Sequence, residues 1–337
     1  MKSRWMIWIC AVLLVAGCSK GSTEDTLGDN DGDDNPKNPG TPPVSWGTGT
    51  IYYTSPGEGV VALNLGAKTK KGLLPNSNSR HDWDISWDGS RIIESTLTTD
   101  NDYDSDLYIT RKVSDGTFIS QFKFVRPTTK YTWPRFSPNG AMVAVNSGST
   151  THGLYLLDNQ GNIQRQLYTM NNQSLAQNIM TWAPDDTILV MVGNQLYRSD
   201  KSFLNADYIT DIAIENRWGM PQVSPDGQKI AYATGGHIWV MDSNGSNKKK
   251  VTTSSTFESM PRFSPDSKHL LLGTNFVTPV TGLGGTGVFS DATFRLVIIP
   301  ADGKEYNVDY GAHNRVVQIR MTGKDHNEIG AGSMVWR

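Results

Sequence analysis

Trp133-Pro134-Arg135-Phe136-Ser137-Pro138-Asn139-Gly140 is the stretch that decides how the rest of the chain is laid out, because its pattern returns. Later copies read Met220-Pro221-Gln222-Val223-Ser224-Pro225-Asp226-Gly227 and Met260-Pro261-Arg262-Phe263-Ser264-Pro265-Asp266-Ser267. Ile179-Met180-Thr181-Trp182-Ala183-Pro184-Asp185-Asp186 and Trp83-Asp84-Ile85-Ser86-Trp87-Asp88-Gly89 are degenerate copies, and Ser333-Met334-Val335-Trp336-Arg337 is a half-copy. In Ser224-Pro225-Asp226-Gly227 the proline presets φ at the second turn position, Asp tolerates the third and Gly suits the fourth, which is type I β-turn chemistry. A strand therefore leads in and another leads out. Lys229 to Thr234 is rich in β-favouring residues, Gly235-Gly236 reads as a second turn, and His237 to Asp242 reads as a further strand. After the turn at Ser243-Asn244-Gly245, the polar segment Lys248 to Thr252 completes a four-stranded antiparallel meander with lysines on its exposed edge.

The residue after the repeat's first turn position falls at Trp87, Pro138, Pro184, Pro225 and Pro265, at spacings of 51, 46, 41 and 40 residues. Each spacing accommodates one such meander. Near the other end, Thr50 to Thr54, Gly59 to Leu65 and Lys70 to Leu74 match the second, third and fourth strands of the repeat with the first missing. Ser333 to Arg337 is placed to supply that strand, closing the ring and removing its free edges. The expectation is an all-β, six-bladed β-propeller over residues 46–337. Seven blades are the alternative, because the interval after Pro265 carries surplus chain, including the Gly-rich run from Thr278 to Ser290 and the strand-like Val316 to Met321.

These repeats resemble those of TolB-type β-propellers, over about 290 residues. The resemblance rests on Phe136-Ser137-Pro138-Asn139-Gly140, on Val223 to Gly227 with His237 to Asp242, and on Asp106-Leu107-Tyr108-Ile109, which stands where the family often has Asp-Ile-Tyr-Val. It implies the fold and little about activity, since propellers host unrelated functions. A lipoprotein signal and the lack of room for TolB's separate N-terminal α/β domain set the chain apart from TolB itself.

Met1 to Arg4 is a short basic segment, and Trp5 to Ala16 is an apolar run too short to span a bilayer but suited to a secretory signal. Val15-Ala16-Gly17-Cys18 resembles the bacterial lipobox, which implies removal of residues 1–17 and lipidation of Cys18, against the plainer alternative of ordinary signal cleavage. Ser19 after the cysteine implies sorting to the outer membrane, and more than one acyl chain anchors stably there. Cys10 departs with the signal, so no disulfide or thiolate chemistry is available. Residues 18–45 are polar and Gly/Pro-rich and read as a disordered tether. Loss of Lys2 and Arg4 takes the formal charge from −2 to about −4, which gives no footprint for nucleic acid.

Several chemical motifs fail on context. Gly282-Leu283-Gly284-Gly285-Thr286-Gly287 matches a dinucleotide fingerprint by letter, but Phe294 to Ile299 reads as a strand, so no βαβ unit and no nucleotide site follow. Asp100, Asp102 and Asp104 alternate toward one side of an extended segment and form a weak calcium candidate, against a solvated loop. Otherwise no cofactor is expected. The six histidines have no close pair at zinc-ligand spacing, and His237 and His269 read as structural.

In a propeller the loops leading into the inner strands converge on the mouth of the central channel. Aligning the copies puts Arg80, Lys130 and Arg217 in one column, His81, Tyr131, Trp218 and Glu258 in the next, and Trp83 and Trp133 two positions on. His326 precedes the last inner strand. Such a basic and aromatic rim suits stacking against sugars or a protein hot spot, while the plainer reading has the tryptophans packing between blades. The expected function is a non-catalytic envelope lipoprotein binding an envelope or extracellular protein or glycan. The alternative is a carbohydrate-active lyase or hydrolase using His81, Arg217, Glu258 and His326.

Overall fold

The structure, a computed structural model, describes residues 46–98, 105–125, 132–146, 153–175, 180–214, 219–277, 293–321 and 327–337, with Asp25–Thr26 ahead of them. Among these residues there is no α-helix, and no helix long and apolar enough to cross a membrane. The chain forms a propeller-like ring of antiparallel sheets. Four sheets are sequential four-stranded meanders, beginning at Arg80–Ile85, Trp133–Phe136, Met180–Trp182 and Gln222–Val223 and ending at Phe118–Val125, Ile163–Leu167, Ala206–Asp211 and Lys249–Lys250.

The repeated turns form as their sequence dictates. The Gly227 N–H donates to Ser224 O at 2.8 Å, while Ser224 Oγ donates to Asp226 Oδ1 at 2.5 Å and accepts the Lys229 N–H at 2.9 Å. The turns at Ser86, Ser137 and Ser264 repeat this pattern. Their fourth position requires the left-handed region: φ is 72° at Gly89, 68° at Gly140 and 76° at Gly227. Where the sequence lacks that glycine, Asp186 and Ser267 still adopt φ of 63° and 61°. Each then accepts a hydrogen bond from the turn of the preceding sheet, Asp186 Oδ1 from the Asn139 N–H at 3.0 Å and Ser267 Oγ from the Asp226 N–H at 3.1 Å. The departures from the motif thus become laces between neighbouring sheets.

Ring closure joins distant parts of the chain. Ile329–Trp336 lies beside Thr50–Ser55, with Ile51 opposite Trp336 and Tyr53 opposite Met334, and so completes the sheet continued by Gly59–Asn64 and Thr69–Leu74. Glu328, just before this strand, accepts a bond from Tyr53 and pairs at 2.8 Å with Lys70, which also pairs with Glu58 at 3.0 Å. The same closing strand meets Thr293–Pro300 through Thr293 opposite Ala331 and Arg295 opposite Ile329. That contact merges it with Glu258–Phe263, His269–Val277, Thr293–Pro300 and Val317–Gln318 into one nine-stranded sheet. The surplus after Pro300 therefore contributes only a two-residue outer strand to this sheet among the described residues. The Gly-rich run, Thr278 to Ser290, lies outside the described residues; the strands on either side pair with each other, Val277 opposite Thr293.

Within the segment read as a disordered tether, Asp25–Thr26 instead pairs with Lys70 and Thr69, whose outer edge supplies its backbone with partners. Hydrophobic clusters fill the gaps between successive sheets. Tyr108, Phe122 and Phe124 of one sheet pack with Phe136, Val145 and Leu157 of the next, and Tyr108 stacks on Phe122 at 5.0 Å. Burial of such aromatic side chains, each contributing roughly 1.5–3 kcal/mol or more, holds neighbouring sheets face to face.

Candidate functional site

Each inner strand places one side chain at the same register on the channel, two residues before the first turn position. The result is a ring of Asp84, Arg135, Thr181, Gln222, Arg262 and Val335. With the surrounding side chains they leave a cavity of only about 70 Å³. Arg135 Nη1 pairs with Asp82 Oδ2 at 2.8 Å, and Asp82 Oδ1 accepts a bond from Ser333 at 2.6 Å. Asp84 accepts the Phe136 N–H at 2.8 Å; burial raises its carboxyl above the ordinary range, opposed by Arg135 and Arg337. Arg262 donates to the carbonyls of Met334 at 2.8 Å and Pro261 at 3.0 Å, and burial, with Arg135 beside it, lowers it to about 9. Arg337 lies over the Trp87 ring at 4.9 Å and donates to the carbonyls of Ile85 and Ser86, tying the closing strand to the next sheet.

The residues aligned at the mouth separate into distinct roles. Arg80 is partly exposed, held by Glu94 at 2.8 Å and the carbonyl of Pro75 at 3.0 Å. Trp83 is only 2% exposed and donates from Nε1 to Thr54 at 2.9 Å, so it packs between sheets and offers no stacking face to a ligand. Trp133 is half-buried. His81, 4% exposed, lies 3.4 Å from Asp106 Oδ1, and Asp106 Oδ2 accepts both the N–H and the Oγ1 of Thr132, at 3.1 and 2.5 Å. Buried behind Asp106, His81 is a structural member of a sheet-to-sheet latch rather than part of an open rim. Lys130, Tyr131, Arg217, Trp218 and His326 lie outside the described residues, as do Cys18 and the calcium candidates Asp100, Asp102 and Asp104.

Glu258 has a partner that spacing alone did not reveal. Fully buried, it accepts bonds from Thr252 Oγ1 at 2.8 Å and from His237 Nδ1 at 2.9 Å, while its Oε1 has no hydrogen-bond partner. Burial raises its carboxyl, opposed by those two bonds. His237, read from sequence as structural, is half-exposed and is the accessible member of the pair. The signal was available only through alignment, since His237 aligns with Asp106 near the start of the equivalent strand. No group of three His, Cys, Asp or Glu side chains able to hold a metal is found among the described residues.

No protein-family profile and no curated protein matches the sequence. Among solved structures, TolB of Acinetobacter baumannii superposes with a TM-score of 0.57 at 18% identity, over 86% of this chain and 66% of that one. An Agrobacterium tumefaciens protein assigned to TolB gives 0.51 at 16% identity, over 77% of this chain and 87% of that one. The chain thus spans just under two thirds of the Acinetobacter protein. At such identities the likeness speaks for the fold, and the fold is that of a TolB-like β-propeller.

Proposed function

We propose that the chain is an outer-membrane lipoprotein whose non-catalytic six-bladed propeller binds an envelope or extracellular protein, or a glycan, through the loops at the channel mouth. Residues 1–17 serve as the signal, Cys18 carries the lipid, residues 18–45 form the tether and 46–337 the propeller. Counting the nine-stranded sheet as two, joined where Thr293 to Arg295 meets Ile329 to Ala331, supports the reading of six blades. The observation that carries the binding reading is the filled centre. A cavity of about 70 Å³ lies well below the roughly 300–1,000 Å³ of pockets that enclose organic ligands, which supports engagement of a macromolecule outside it, on the mouth loops.

The full-length protein, solubilised in detergent, is to be tested for retention on a panel of polysaccharides and envelope extracts. Retention that falls at least tenfold in Tyr131→Ala and Trp218→Ala variants with unchanged circular dichroism supports the rim; unchanged retention removes it. Loss of membrane fractionation in Cys18→Ala tests the anchor. A second reading, a carbohydrate-active enzyme, is favoured by one feature: the half-exposed His237 backed by the buried Glu258, an arrangement suited to a general base. In that reading His237 takes the place of the inaccessible His81.

A further inference from the structure

We propose that the ring of inner-strand side chains seats a compact inorganic anion in the central cavity, held chiefly by Arg262. The ring is formally unbalanced. Of its six members, Asp84 carries a negative charge and Arg135 and Arg262 positive ones, while Thr181, Gln222 and Val335 are neutral. Arg337 enters the same cavity from the turn and Asp82 stands behind Arg135, so three guanidinium groups face two carboxylates. The pairing is also uneven in space. Asp82 is paired with Arg135 at 2.8 Å, while Asp84 is shared as a neighbouring charge among Arg135, Arg337 and Arg262. Arg262 stands on the inner strand between those of Gln222 and Val335, feels Asp84 and Asp82 as neighbouring charges, and makes no ion pair with a carboxylate among the described residues.

An arginine in such a place remains charged and has five donors in a planar fork. Two donations, to the carbonyls of Met334 and Pro261, anchor the Nε and Nη1 sides. A guanidinium without a counterion in a restricted cavity is costly unless an anion shares the space. Gln222 spends its amide N–H groups on Thr181 Oγ1 and the Pro221 carbonyl, at 3.1 Å each, which leaves Arg262 as the donor on this wall. The volume of about 70 Å³ is several times the roughly 10–15 Å³ that a single water requires and well below the roughly 300–1,000 Å³ of pockets that enclose organic ligands. That selects a halide or a small oxyanion such as phosphate over a sugar or a peptide, and separates this seat from any ligand held at the mouth.

The test is thermal unfolding of the full-length protein at fixed pH and ionic strength, with chloride or phosphate replacing a bulky organic anion. The expected result is a saturable rise in midpoint with at least one of the two, and at least a tenfold weaker apparent affinity in Arg262→Gln. Gln already occupies the equivalent position at 222, so this variant preserves the register. Arg262→Lys keeps the charge without the fork and should fall between the two. Bromide diffused into crystals should give an anomalous peak beside Arg262. A wild-type midpoint that climbs without saturation, or saturable stabilisation that Arg262→Gln leaves unchanged, overturns the proposal; should Arg262→Gln not fold, the wild-type titration and the bromide position decide it.

Discussion

Two junctions between neighbouring sheets are built on the same plan and finished differently. Asp106 and His237 stand near the start of equivalent strands, and each reaches toward the entry of the next inner strand, Thr132 in one case and Glu258 in the other. At the first junction Asp106 is fully buried, with Thr132 donating twice to its Oδ2 and the buried His81 lying 3.4 Å from its Oδ1. At the second the carboxylate has moved to the partner strand, and Glu258 keeps one buried oxygen without a hydrogen bond. The first junction is a latch closed to solvent, whereas the second sets a partly exposed histidine on its buried carboxylate.

The largest effect should come from breaking the latch. Asp106→Ala strands the Thr132 N–H and leaves His81 buried without its carboxylate, and should cost about 3 kcal/mol or more in chemical denaturation. An Asp106→Ala protein of wild-type stability would remove the distinction between the junctions. At the second junction, Glu258→Gln should change stability at neutral pH by no more than about 1 kcal/mol. Its pH dependence is more telling. Glu258 binds its proton more tightly folded than unfolded, so the stability gained is fully present below the unfolded glutamate value of about 4.3 and is lost as pH rises through the raised folded value. Wild type should therefore match Glu258→Gln in acid and fall below it as pH rises; parallel curves would place the burial penalty elsewhere.

Smaller effects sharpen the contrast between shared and local parts. Ser224→Ala deletes the hydroxyl that links Asp226 to the Lys229 N–H and should cost about 1 kcal/mol. Ser267→Gly relieves a left-handed serine but loses its bond from Asp226, so the two should offset to within about 0.5 kcal/mol in the same denaturation assay.

What was legible in the sequence follows from how local each cause is. The Ser-Pro-Asp-Gly turns are written in four adjacent residues, and they form as written. Closure by Ser333 to Arg337 was legible because one meander lacked its first strand and another segment matched it, although the closing strand begins earlier, at Ile329. Trp83 was harder. Its residue type suits a rim or a core equally, and only the neighbouring sheet, with Thr54 set to accept its indole N–H, decides for the core. The pairing of His237 with Glu258 joins two sheets, and its geometry depends on how they twist against one another, which no spacing records. The uneven charge of the ring likewise emerges only when six inner strands are brought to one register.

The claim that the mouth binds rather than catalyses is tested most directly by following product formation. Full-length protein is incubated with whichever glycan or envelope fraction it retains, and small products are measured by mass spectrometry for wild type and His237→Ala. The account predicts retention in both and release of product in neither; product that appears with wild type and vanishes in His237→Ala would contradict it and make the His237 and Glu258 pair an active site.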